Sequence, residues 1–118
     1  MRARRFGVVD EVERLLRLLA LNDERSVDTV LAGAPNDVGV DGLRPKDDVL
    51  VRLGALLALG ASTRSLRAAV QRAVQVGASK AEIVGVLIAV APAVGLARVV
   101  AAAPRLAVAI GYDIEAEE

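Results

Sequence analysis

The chain has 118 residues, 54% of them apolar and only 2% aromatic, with 15 basic and 15 acidic side chains, zero formal net charge, no Cys and no His. That charge balance argues against a strong binder of a nucleic-acid backbone, which needs a basic excess. The missing residue types remove disulfides, thiol nucleophiles, imidazole bases and the commonest zinc ligands.

The only aromatic residues are Phe6 and Tyr112, so the core has to be built from Leu, Val, Ile and Ala. A domain of this size with such small side chains gains from burying more apolar area against partner subunits. Charge is unevenly spread: residues 1–52 hold ten acids and nine bases, whereas residues 53–112 hold six bases and one acid, Glu82. The longest uncharged run, Ile83 to Ala97, is interrupted by Gly85, Pro92 and Gly95. It is shorter than the roughly 18 residues of a membrane span. Asp10, Glu11 and Glu13 break the first apolar region, so no segment has a signal-peptide layout. The expectation is a soluble cytoplasmic protein with no membrane partner.

Residues 1–7 read as a basic, loose start. From about Asp10 to Leu21, residues Val8, Val12, Leu15, Leu16 and Leu19 recur at helical spacing, supported by the i,i+4 pairs Asp10/Arg14 and Glu13/Arg17. Asn22-Asp23 ends this helix. A shorter one follows over Glu24 to Leu31, with Val27, Val30 and Leu31 inward. Residues 33–44 are the clearest loop, rich in Gly, Pro, Asn and Asp. The spacing of Gly39 and Gly42 does not make a phosphate cradle. Asp37 and Asp41 lack calcium-loop spacing.

Pro45 suits the first turn of a third helix, and Asp47 and Asp48 favour its positive end. Val49, Leu50, Leu53, Leu56 and Leu57 form its buried stripe, and Gly60 stops it. Ser62 or Thr63 caps the next helix, about residues 64–76. There Leu66, Ala69, Val70, Ala73 and Val74 face inward, and Arg64, Arg67, Gln71, Arg72 and Gln75 outward. Gly77 is suited to closing that helix in the left-handed conformation. Ser79 and Glu82 have the spacing of a capping box for the helix that follows. Residues 80–91 are apolar nearly all round, as expected of a helix surrounded by protein. Pro92 and Gly95 mark a break. A last helix runs from about Leu96 to Ile110, with Pro104 set to kink or restart it. No strand alternation or internal repeat is found. The fold class is all-α: one domain of about six helices, with N-terminal helices and loop over 1–42, a helical core over 43–112 and an acidic tail over 113–118.

The ordered pieces Leu43-Arg-Pro-Lys-Asp, Leu56-Leu-Ala-Leu-Gly60, Leu66-Arg-Ala-Ala-Val70, Gly77-Ala-Ser-Lys-Ala-Glu-Ile83 and Gly95 resemble the carboxymuconolactone decarboxylase family and its alkylhydroperoxidase-D-like relatives, over about residues 43–110. The resemblance implies an all-α helical-hairpin core assembled as trimers or hexamers. It also implies one of two chemistries. One is a peroxidase using a Cys-x-x-Cys pair with nearby Glu and His. The other is a decarboxylase of a lactone acid with a His on the helix before the Gly-x-Ser/Thr joint. Thiol peroxidase chemistry is excluded, because no thiolate is available. By the same resemblance, the family's His position corresponds here to Ala69, and its Gln and Tyr-x-Gly-x-Pro positions to Ala89, Ala93, Gly95 and Ala97, so that the polar residues are replaced by Ala while the Gly is retained. Such replacements are expected to leave a small apolar pocket.

Among the remaining groups, Glu82 is the only acid of the second half, and its capping role accounts for it. It is the candidate acid if the protein is an enzyme. Arg67 and Arg98 are the candidate carboxylate-binding residues, through forked hydrogen bonds; Arg72 is a further cation on an outward face. Ser62, Thr63, Ser65 and Ser79 sit at helix starts, with no His to activate them. Tyr112 reads as packing. No cofactor and no metal are expected. The first reading is a catalytically degenerate family member, an oligomeric binding or scaffold protein with a small apolar or carboxylate ligand. The second is an active lyase using Arg groups and an acid such as Asp37, Asp41 or Asp47. The third is an interaction module using the basic start or the acidic tail.

Overall fold

The computed structural model describes residues 7–33 and 42–112. These form six α-helices and, among the described residues, no strand: α1 (Gly7–Ala20), α2 (Glu24–Leu31), α3 (Pro45–Leu59), α4 (Thr63–Gln75), α5 (Lys80–Val94) and α6 (Leu96–Ile110). None of them is long and apolar enough to cross a membrane. The basic start, the acidic tail and the loop positions Asp37 and Asp41 lie outside the described residues. The chain divides into two compact units, Met1–Gly42 and Leu43–Glu118.

In the first unit α1 starts at Gly7, three residues before the expected Asp10, and stops where Asn22 turns left-handed at φ 60°. The Asn22 and Asp23 amides donate to the Leu19 and Leu18 carbonyls, which is a Schellman closure with Asn in the usual glycine position. Asp23, read from sequence only as a terminator, is the N-cap of α2. Its carboxylate accepts from the Ser26 amide at 3.1 Å and from the Ser26 hydroxyl at 2.7 Å. Those bonds hold its carboxyl below the ordinary value. The inward stripe expected here is incomplete. Val27 is half-buried, but Val30 and Leu31 are exposed and α2 buries no residue; two short helices have too little facing surface to enclose both sides. The side chain of Val8 lies outside the described residues.

In the second unit α3 packs on α4 and α5, and α6 packs on α4 and α5. One core joins them: Leu53 and Leu57 from α3, Leu66, Ala69, Val70 and Ala73 from α4, Ala78 from the joint, Ile83 from α5, and Ala102 and Leu106 from α6. Val49, Leu50 and Leu56 pack partly buried against it. Gly54 completes the α3 face. A Cβ there would stand 3.3 Å from the Cγ1 atoms of both Val86 and Val90, so the bare backbone sets how closely α5 approaches.

Pro45 opens α3 at its first position. Gly60, Gly77 and Gly111 end α3, α4 and α6 at positive φ, each with the paired amide bonds of a Schellman motif. Three expectations change. Val74 is 57% exposed rather than inward, because α4 buries only the narrower stripe Leu66, Ala69, Val70 and Ala73. Helix α5 is not enclosed by the described residues: only Ile83 of it is buried, and Ile88 is 68% exposed. Pro92 does not break α5, which runs on to Val94 and closes at Gly95. Pro104 likewise lies inside a continuous α6. Both prolines are on exposed positions, where the carbonyl each leaves without an amide donor can be hydrated.

The burial pattern separates two truncations of similar chemistry. Leu53→Ala is expected to lower the unfolding free energy by about 2–5 kcal/mol. Val74→Ala should change it by about 0.5 kcal/mol or less. Urea unfolding followed by far-UV circular dichroism measures both.

Candidate functional site

The joint between α4 and α5 holds the one acid of residues 53–112. Gly77 at φ +91° reverses the chain, and Ala78 drops into the core at 8% exposure. Ser79 takes extended backbone angles, and its hydroxyl accepts from the Glu82 amide at 3.0 Å. Glu82 Oε1 accepts from the Ser79 amide at 2.9 Å, which completes the capping box. The other oxygen, Oε2, accepts from Lys46 Nζ of α3 at 3.0 Å. Sequence reasoning missed this third contact, because its partners are 36 residues apart and no local pattern joins them.

The Ser79 amide and then the Lys46 ammonium hold the Glu82 carboxyl below its ordinary value of 4.5, against a small opposing effect of desolvation. Both oxygens are committed to donors, and the group is ionised at neutral pH. A general acid needs the reverse, a carboxyl pushed up toward the working pH. The two other carboxylates of residues 43–112 are paired within α3 and its cap: Asp47 with Arg44 at 3.3 Å and Asp48 with Arg52 at 3.0 Å.

Of the candidate arginines, only Arg98 has a described neighbour. Arg67 is exposed on α4. Arg98, exposed on α6, reaches the end of α3, where its Nη1 lies 3.1 Å from the place a Gly60 Cβ would occupy. Beside it Arg105, not singled out from sequence, donates from Nη1 to the carbonyls of Gly60 at 3.2 Å and Ala61 at 3.4 Å. It thereby places a cation on the negative end of α3. Tyr112 lies under the Lys80 ammonium, 5.1 Å from the ring centroid, which ties the end of α6 to the start of α5.

The small residues at the expected polar positions do not share one environment. Ala69 is a core residue at 1% exposure, whereas Ala89, Ala93, Gly95 and Ala97 are exposed. Among the described residues no group of three or more His, Cys, Asp or Glu is arranged to hold a metal ion.

A capped, Gly-closed helical joint on an all-α frame defines the class of fold, and a family model identifies it. The carboxymuconolactone decarboxylase family model matches residues 27–107, and the chain belongs to that family. The match begins earlier than the resemblance over residues 43–110, taking in most of α2. Comparison with curated proteins and with solved structures finds no match.

Because folding lowers the Glu82 pKa, its stabilising effect is complete above pH 4.5 and is lost as pH falls through the lower folded value. The difference in unfolding free energy between wild type and Glu82→Gln should therefore be constant near neutrality and shrink below pH 4.5. Denaturant titrations of both proteins across that range measure it, and a difference that grows on acidification would contradict the assignment.

Proposed function

We propose that this chain is a catalytically degenerate carboxymuconolactone decarboxylase-like protein, an oligomeric binding or scaffold protein of the cytoplasm. The observation that carries the reading is the commitment of Glu82: the only acid of α4–α6 is held by Ser79 and Lys46 in its low-pKa form. The region that matches the family contains no Cys and no His, so thiol-based peroxide reduction and imidazole proton transfer have no agent.

Self-association supplies the burial that one chain lacks. Val51, Ile88, Leu96 and Val100 are each at least 60% exposed on α3, α5 and α6. Apolar side chains of that size, left in water on three helices, favour a subunit interface. A trimer or hexamer is the assembly that the family resemblance implies. The ligand of such a protein is a small apolar or carboxylate compound, with Arg67 and Arg98 as its carboxylate-binding residues. Nucleic acid and membrane are not partners in this reading.

The competing reading is an active lyase in which Arg67 and Arg98 hold a lactone acid and an acid such as Asp37, Asp41 or Asp47 supplies a proton. A turnover assay of the purified chain against lactone acids should give no rate above the uncatalysed background. A rate that Arg67→Ala and Arg98→Ala abolish would reverse the assignment. Light scattering at micromolar concentration should report an oligomer, and a folded monomer would remove the scaffold part of the proposal.

A further inference from the structure

We infer that Arg98 and Arg105 form a binding site for a small oxyanion over the α3–α4 joint at Gly60. The inference deepens the carboxylate-ligand part of the reading above, giving Arg98 the partner Arg105 rather than Arg67, and does not depend on whether the chain turns a substrate over.

Charge pairing points to this place. Each acid of residues 43–112 already has a cation beside it: Arg44 on Asp47, Arg52 on Asp48 and Lys46 on Glu82. The cations of α4, α5 and α6 therefore make no ion pair among the described residues. Two of them are nonetheless brought to one residue. Arg98 and Arg105 are seven positions apart on α6, two turns and so one face. Arg105 Nη1 donates to the Gly60 and Ala61 carbonyls, and Arg98 Nη1 lies against Gly60 itself. Like charges gathered without a counter-charge repel each other, and an anion between them removes that repulsion.

The geometry suits an oxyanion. Arg105 is half-buried and fixed by its two carbonyl bonds, which leaves its Nε and second terminal nitrogen free of protein acceptors among the described residues. Arg98 makes no hydrogen bond among them, so its whole fork is available. Carboxylate and phosphate oxygens match such forks. Gly60 is required for its φ of +75°, which ends α3, and the terminal nitrogen of Arg98 lies over it. The first turn of α4 contains no acid to compete for the two forks.

The test is a titration of the full chain at low ionic strength with succinate and, separately, with inorganic phosphate, against potassium chloride at matched ionic strength. The amide resonances of Gly60, Ala61 and Ser62 and the arginine Nε–H resonances report binding. Saturable shifts with succinate or with phosphate, beyond those with chloride, are expected, and the probe that saturates identifies the oxyanion class. Arg98→Gln should weaken binding about tenfold or more with an unchanged unfolding midpoint, whereas Lys80→Gln should bind as wild type. Absence of saturation with both probes overturns the site. So does an equal loss in Lys80→Gln, which would mean a diffuse positive field rather than a pair of forks.

Discussion

The reciprocal hydrogen bonds of Ser79 and Glu82 fix where α5 begins, and most of the second unit takes its place from that point. On one side Gly77 has just closed α4, and Ala78 points into the core. On the other side Ile83 enters the core with no exposed surface. Lys46 then clamps the same carboxylate from α3. A hairpin of two helices and its docking onto a third thus converge on one side chain. The same convergence makes that side chain poorly suited to acid–base chemistry, since a carboxylate that accepts from two donors, one of them a cation, is a poor proton donor near neutral pH. The architecture of this joint and the ionised state of Glu82 are here two consequences of one set of hydrogen bonds.

Around this joint the packing is done by small residues. Ala69, Ala73 and Ala102 lie in the core, and Gly54 lets α3 and α5 approach until Val86 and Val90 touch its backbone. Close approach of helices recovers some of the burial that small side chains forgo. It also limits how much apolar surface one chain can cover, because a compact four-helix unit keeps only narrow stripes inside. Helix α5 shows the consequence: apolar on nearly every side in sequence, it buries Ile83 and leaves Ile88 outside. The assembly proposed above is argued from that remainder rather than from any single contact.

Local features of this fold were legible in the sequence because their causes are local. The capping box, the glycine closures, Pro45 at the start of α3 and the Leu53/Leu57 stripe each depend on residues within a turn or two of one another. The family was legible for the same reason, since its recognisable pieces are caps and stripes in a fixed order. What sequence missed is long-range or depends on geometry. Lys46 on Glu82 and Arg105 on the Gly60 carbonyl join residues far apart in the chain. Neither Lys nor Arg carries a periodic signal that names its acceptor. Val74 was misread because hydrophobicity marks a stripe wider than the one α4 buries. Pro92 was misread because it lies on an exposed position, where the carbonyl it leaves without an amide donor can be hydrated and the helix can continue to Val94. Of the candidate site, the residue types were readable but not their grouping: Arg98 lies beside Arg105 at Gly60.

The account rests on Glu82 being an ionised structural cap. Its side-chain carboxyl pKa, followed by carbon-13 NMR across an acid titration of the native protein, measures this directly. The account predicts a single titration below the ordinary value of 4.5, moving upward when Lys46 is replaced by Met. A value raised above 4.5 toward neutrality, insensitive to Lys46, would contradict it and return Glu82 to the role of a proton donor.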